Sequence, residues 1–506
     1  MSDSGARDYL RREAGLLLHP TSLPGRYGIG DLGHDARRFV DFLQEAGIRV
    51  WQVLPLGPAG YGNSPYATRS AMAGNPLLIS LDLLAEEGLI HGDELSSMPQ
   101  FPAHRVDYPA VEEAKTSLLK RAHRRFTTEG DGGLRHQFDE FWRDSRWLEY
   151  YAIFMALRES KGRAPWQDWE PDIIARTPEA MDRVRRELSE EVDFHRFVQF
   201  LFYRQWRALR EYANGRGIRI MGDIPIFVAL DSADVWARQE IFFLDGRGLP
   251  TVVAGVPPDY FSRTGQRWGN PLYRWDLLAE QDFGWWVERF QVALAQTDLV
   301  RIDHFRGFES YWEVPADQET AERGRWVKGP GERFFQALSR ALGTLPVVAE
   351  DLGMITQEVH DLRLKVGFPG MKVLHFGFAE DARNPYLPHN CERRYVVYTG
   401  THDNDTTVGW FASRPPEERA AVLRYLGVGQ EDTGEIHWRM TRLALSTVAG
   451  LAVVPMQDVL GLDSSSRMNV PGEAAGNWEW RFNWDQLRPE YARRLREMSR
   501  SYGRSE

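Results

Sequence analysis

Four carboxylates carry the chemistry that this sequence offers: Asp223, Asp303, Glu350 and Asp403. They close, or lie just beyond, apolar runs that begin at Ile218, Leu299, Pro346 and Tyr395. In the stretch Arg301-Ile302-Asp303-His304-Phe305-Arg306-Gly307, Arg301 and Asp303 share one face of a strand, because side chains alternate with period two. A guanidinium beside a carboxylate favours the anionic form, which a nucleophile or an electrostatic anchor needs. Taken alone, such a pair is equally a structural ion pair at a strand end. Three further carboxylates at strand ends overturn that reading if the fold gathers them. Several carboxylates in one cavity suit either a divalent metal or glycoside chemistry. Crowding raises at least one pKa and keeps a general acid protonated near neutral pH. Glu350, with the longer arm, reads as the acid/base. His304 and His402 are alternative metal ligands beside the aspartates. With neither an HExxH motif nor a cysteine set in the chain, they are read as partners of sugar hydroxyls, and no metal or other cofactor is expected.

The elements that must position these residues alternate between strand and helix. Strand candidates begin near Ile48, Pro76, Ile218, Leu299, Pro346, Gly370, Tyr395 and Leu451. Helical periodicity separates several of them, as in Ala36, Phe39, Val40 and Leu43, or Phe283, Trp286, Val287 and Phe290. Alternation implies parallel strands. Closed on themselves, these units make an α/β fold of the TIM (β/α)8 barrel type, whose active site is built at the strand C-termini. An open doubly wound sheet is the alternative. Against it, no GxGxxG follows the first strand, and polar residues cluster after many strands rather than at one switch point. Residues 1–506 are read as a single catalytic barrel with a helical insertion at 82–193 and a loop-rich insertion at 227–282. The glycine-rich loop from Gly57 to Tyr66 lacks the lysine of a GxxxxGK phosphate cradle. Its Tyr61 and Tyr66 suit a flat ligand face.

Bulk properties narrow the function classes. The net charge of -10 gives no general attraction to nucleic acid or anionic membrane. One cysteine, Cys391, excludes an intrachain disulfide framework and a cysteine-rich zinc site. The start lacks the marks of a signal peptide, and no run reaches the length of a membrane span, so a cytoplasmic location is expected. The chain has 18 Trp, 18 Tyr and 26 Phe, which suits a sugar-stacking cleft as well as a large core.

The motifs, taken in order, resemble those of the amylomaltases, the 4-alpha-glucanotransferases of glycoside hydrolase family 77 in the alpha-amylase clan. The marks are Ser64-Pro65-Tyr66, Gly222-Asp223-Ile224-Pro225, Trp268-Gly269-Asn270-Pro271, Arg301 to Gly307, Ala349-Glu350-Asp351-Leu352-Gly353 and Thr399 to Asn404. Arg467-Met468-Asn469 and Gly476-Asn477-Trp478 complete the set, so the resemblance covers nearly the whole chain. It implies a barrel with largely helical insertions and no separate C-terminal β domain. It implies Asp303 as nucleophile, Glu350 as acid/base, and Asp403 holding hydroxyls of a distorted donor sugar with His402. Arg301 would orient Asp303, and Asp223 would support the donor subsite. Tyr61, Tyr66, Tyr260, Phe261 and Trp268 would contribute to the glucan path, with Ser64, Asn270, His304 and Asn469 as further substrate contacts. The implied partners are maltooligosaccharides, amylose and other alpha-1,4-glucans. The competing readings are an alpha-1,4-glucan hydrolase, a metal-dependent hydrolase and a glucan-binding protein without catalysis.

Overall fold

In the computed structural model, which describes residues 9–258, 262–378, 381–429, 433–473 and 475–505, eight parallel strands form one sheet. They are Glu13–Leu17, Val50–Gln52, Arg219–Ile224, Leu299–Ile302, Val347–Ala349, Gly370–Val373, Tyr395–Tyr398 and Leu451–Pro455. Each strand is short and almost wholly buried, as parallel strands covered on both faces must be. Helices such as His34–Glu45 and Ser189–Asn214 pack on the outside. In His34–Glu45, Ala36, Phe39, Val40 and Leu43 turn inward as their spacing predicts.

One strand expected from the sequence is not a strand. The run at Pro76 is a 3-10 turn, Pro76–Leu78. Asn75 accepts a hydrogen bond from the Leu77 N–H, and the Ile79 N–H closes the turn on the Pro76 carbonyl. Lys115 Nζ donates to the carbonyls of Leu77 and Ile79, and Gln205 Oε1 accepts from the Ser80 N–H. Side chains of two helices thus take the backbone groups that a ladder would have used. The barrel's remaining strand is Glu13–Leu17, which pairs with Leu451–Pro455 on one side and Val50–Gln52 on the other.

The barrel is nearly closed. Hydrogen-bonded ladders run from Gly370–Val373 through the last and first strands to Val347–Ala349, but none joins those two ends among the described residues. Across this seam, the Ala349 N–H donates to the Pro369 carbonyl. Asp351 accepts the Met371 N–H at 2.7 Å and pairs with Arg363 Nε at 3.0 Å. Arg363 continues to the Phe368 carbonyl and the Tyr395 hydroxyl. Gly370 has no alternative here: a Cβ on it would stand 2.5 Å from Asp351 Oδ2.

Between the second and third barrel strands the chain builds a set of helices, among them Tyr108–Glu129, Gly132–Asp144, Arg146–Ser160 and Pro178–Glu187. Asp107, Asp131 and Thr177 cap three of them, each accepting backbone N–H groups of the first turn. The insertion expected to be loop-rich at 227–282 also carries two short strands, Val252–Val256 and Gln266–Pro271. They join Ser310–Pro315 and Arg325–Lys328 in a four-stranded antiparallel sheet. The insertions are therefore not all helical. The last barrel strand is followed, among the described residues, by helices and turns only, ending with Pro489–Ser501.

Candidate active site

Strand register sets the centre of the site. Ile302 lies opposite Ala349, so the next residues, Asp303 and Glu350, face each other across neighbouring strand ends. Their backbones are therefore about 5 Å apart. One strand further round, Asp223 lies opposite Arg301. The Arg301 guanidinium spreads between two carboxylates, donating to Asp223 Oδ2 at 2.6 Å and to Asp303 Oδ1 at 2.8 Å. A planar fork suits this double contact. Burial would lower the Arg301 pKa, but the two acids hold it well above the usual arginine range. The Tyr66 hydroxyl also donates to Asp223 Oδ2, at 2.8 Å. Burial pushes the Asp223 carboxyl up against the pull of Arg301, and its Oδ1 is buried without a partner.

Glu350 sits in a different environment. It accepts the His304 N–H at 2.7 Å on Oε2 and the Leu352 N–H at 2.8 Å on Oε1. Burial nevertheless raises its pKa to about 7, with Arg301 opposing and the charge of Asp303 adding. His304 takes a left-handed backbone conformation, φ 49°. That conformation costs about 1–2 kcal/mol for a residue with a Cβ, a strain of the kind that collects at functional sites. Here it turns the chain immediately after Asp303 and leaves the His304 N–H on Glu350. The two carboxyls thus differ in kind. One touches a guanidinium, and the other holds its proton near neutrality.

Asp403 completes the arrangement from the seventh strand end. Asn469 Nδ2 donates to its Oδ1 at 2.6 Å, and Arg467 donates to its backbone carbonyl. His402 Nε2 lies 3.4 Å from its Oδ2. The His402 ring stacks on Tyr66 (centroids 5.0 Å apart), and burial lowers its pKa. The His304 ring meets Trp268 edge-on at 4.9 Å, and burial takes it to about 4. Burial therefore favours the neutral form of both rings.

These residues line one open groove of about 1290 Å³. Tyr61, Ser64, Tyr66, Trp268, Asn270, Arg301, Asp303, His304, Glu350, His402, Asp403 and Asn469 all border it, as the sequence reading expects. Tyr61 is 79% exposed and Trp268 is 37% exposed, and both border the groove. Asn270 also donates to the Val228 carbonyl, and Ser64 Oγ accepts the Tyr66 N–H. Asp223 is the exception. Its side chain is fully buried behind Arg301 and Tyr66, and it does not border the groove. Tyr260 and Phe261 lie outside the described residues. The sequence reading overlooked Met354, His375, Tyr386 and Arg414, which also border the groove. Two of these carried a signal: His375 lies just beyond the end of the strand Gly370–Val373, and Met354 stands four residues beyond Glu350 on a loop with Gly353.

Paired carboxyls of unlike environment, at adjacent strand ends of a barrel and flanked by exposed aromatic faces, define a class: enzymes that cleave or exchange glycosidic bonds. The family model for 4-alpha-glucanotransferase, glycoside hydrolase family 77, matches residues 18–487. The chain belongs to this family. A 4-alpha-glucanotransferase of Thermus thermophilus is 54% identical over 97% of this chain and 98% of its own length. One from Synechocystis is 53% identical, with 98% of each chain covered. Among solved structures, an amylomaltase from Streptococcus agalactiae in complex with acarbose matches with a TM-score of 0.95 at 40% identity, covering 98% of this chain and 100% of its own.

Proposed function

We propose that this enzyme moves segments of alpha-1,4-glucan to the 4-hydroxyl of an acceptor glucose or maltodextrin, with Asp303 as nucleophile and Glu350 as acid/base. Family membership sets the reaction as 4-alpha-glucanotransfer. The observation that supports the residue roles is the facing pair itself: Asp303 bound to Arg301, and Glu350 raised to about 7 one strand away.

In the first step the Asp303 carboxylate attacks the anomeric carbon of the donor sugar. Glu350 gives its proton to the glycosidic oxygen, and the fragment beyond it leaves with a free 4-hydroxyl. The result is a β-linked glycosyl-enzyme. In the second step Glu350, now a carboxylate, takes the proton of the acceptor 4-hydroxyl. That oxygen displaces Asp303 and restores the alpha linkage. Retention by this route requires reacting carboxyls about 5–5.5 Å apart. Asp403 and neutral His402 hold hydroxyls of the distorted donor ring. Arg301 aims Asp303 through its hydrogen bond, and Asp223 anchors Arg301 from behind. Tyr61 and Trp268 supply stacking faces for the sugars on either side, and Ser64, Asn270, His304 and Asn469 frame the path. Maltooligosaccharides and amylose are the substrates that this groove fits.

Incubation with maltotriose tests the reading. Transfer yields glucose and longer maltodextrins with little net gain in reducing ends. Shorter sugars alone, with reducing ends rising in step, would make the enzyme a hydrolase.

A further inference from the structure

The segment that carries His402 and Asp403 is tied at both ends to one buried side chain outside the groove. Thr399 follows the strand Tyr395–Tyr398, and Thr407 opens the helix Thr407–Ser413. Thr399 Oγ1 donates to Asp458 Oδ2 at 2.6 Å, and Thr407 Oγ1 donates to the same oxygen at 2.7 Å. The Thr407 N–H donates to Asp458 Oδ1 at 2.7 Å. Asp458 stands on the short helix Met456–Leu460 after the last barrel strand and is 1% exposed. Both threonines are fully buried. Residues 400–406 therefore leave from one arm of a carboxylate and return to it.

A second consequence follows from proton counting. A threonine hydroxyl has one proton. With Asp458 ionised, a state that burial disfavours and the bonds from Thr399 and Thr407 favour, the Thr407 proton goes to Asp458, and Thr407 Oγ1 then accepts from His375 Nε2, 3.0 Å away. His375 must then carry its proton on Nε2, and its Nδ1 is a buried acceptor without a partner. The ring lies flat on Trp410, with centroids 4.4 Å apart and planes 5° apart, and it borders the sugar groove. It also presses on the start of the tied segment. A Cβ on Gly400 would meet His375 Nδ1 at 3.0 Å.

We propose that Asp458 is a positioning residue for segment 400–406: its carboxylate fixes both ends of the segment and, through Thr407, the tautomer of His375. The inference rests on the reading that Asp403 and His402 hold the donor sugar. Asp458 touches no substrate and acts by holding those two groups where the distorted ring needs them.

Thr407→Val removes the hydroxyl and keeps the shape, whereas Thr407→Ser keeps the hydroxyl. With maltotriose, Thr407→Val is expected to lose kcat about 10- to 100-fold with KM little changed, the mark of contacts made in the transition state. Thr407→Ser keeps most of the wild-type kcat. Rates are normalised to folded protein by near-UV circular dichroism and Tm on the same samples, so that loss of folded protein does not imitate the effect. If Thr407→Val does not fold, Thr399→Val reads the other tie and is expected to lower kcat in the same way. Nitrogen-15 histidine spectra give an independent signature: His375, assigned by Gln substitution, reads as the Nε2–H tautomer in wild type and shifts in Asp458→Asn. Wild-type kcat in both valine variants, or equal losses in Thr407→Val and Thr407→Ser, would overturn the proposal while Asp403→Asn remained inactive. An active Asp403→Asn would instead overturn the sugar-holding role on which it rests.

Discussion

Arg301 offers the sharpest test of the site, because one side chain serves two acids. Arg301→Lys keeps the charge but not the fork. An ammonium on a flexible stem can satisfy Asp223 or Asp303, not both in the present geometry. The lost contact is a charge-assisted hydrogen bond of 2.6 or 2.8 Å. Such bonds contribute about 1.5–3 kcal/mol. If the loss falls wholly on the transition state, kcat/KM drops by about 10- to 150-fold, at 1.36 kcal/mol per decade. Arg301→Met removes both contacts and leaves the Asp223 side chain buried without a counter-charge, which costs about 3–5 kcal/mol of stability. A pH effect separates aiming from simple damage. Glu350 must be protonated to act as the acid, so kcat/KM of the wild type falls as pH rises through about 7. Arg301 lowers the Glu350 pKa, so its removal as a cation moves this alkaline limb to higher pH. Arg301→Lys keeps the charge and leaves the limb nearly in place. The assay is enzyme-coupled glucose release from maltotriose across pH 5–9, with calorimetric Tm on the same samples. Wild-type kcat/KM in Arg301→Lys, or an alkaline limb unmoved in Arg301→Met, would refute the reasoning.

Tyr66→Phe deletes the hydroxyl bond to Asp223 while keeping the ring on His402. Asp223 then holds Arg301 alone, and stability falls by about 1–3 kcal/mol, seen as a lower Tm; an unchanged Tm would deny Tyr66 that part. Asn469→Ala frees Asp403 Oδ1 and is expected to cut kcat/KM about tenfold, water replacing the amide in part; full activity in maltotriose assays would contradict the support role. Gly370→Ala forces a Cβ toward Asp351 Oδ2 across the seam and costs about 1–3 kcal/mol. Loss of protection at Met371 in hydrogen exchange should accompany it, and a protected Met371 amide would count against the seam contact.

The strand ends that carry chemistry were legible because each joins an apolar run to a polar cluster, as at Val300 to His304. Register did the rest, since parallel pairing brings Asp303 and Glu350 level without any local motif. The first barrel strand was hard to see because Glu13 opens it. That buried acid is satisfied by Arg219 on the third strand, a partner no local window contains. Pro76 misled in the opposite sense, its apolar neighbours reading as a strand until Lys115 and Gln205 are seen to take their backbone groups. Gln266–Pro271 shows little alternation, because its first three side chains are exposed. Asp223 was correctly gathered with the other acids, yet nothing in its spacing reveals that Arg301 and Tyr66 stand between it and the groove. The tie at Asp458 joins residues on two separate strand-to-helix turns, and only the folded barrel brings them together.

The gap between Val347–Ala349 and Gly370–Val373 gives the molecule a second description. By backbone pairing alone it is an open eight-stranded sheet, rolled until its edges touch. Closure then rests on the single backbone bond from Ala349 to the Pro369 carbonyl and on side chains, chiefly Asp351 and Arg363. Asp351 directly follows Glu350, so the clasp that makes a cylinder of the sheet also sits next to the proposed proton donor. An exposed strand edge invites pairing with another chain. Losing Asp351 would therefore loosen the wall beside Glu350 and at the same time uncover an edge open to self-association.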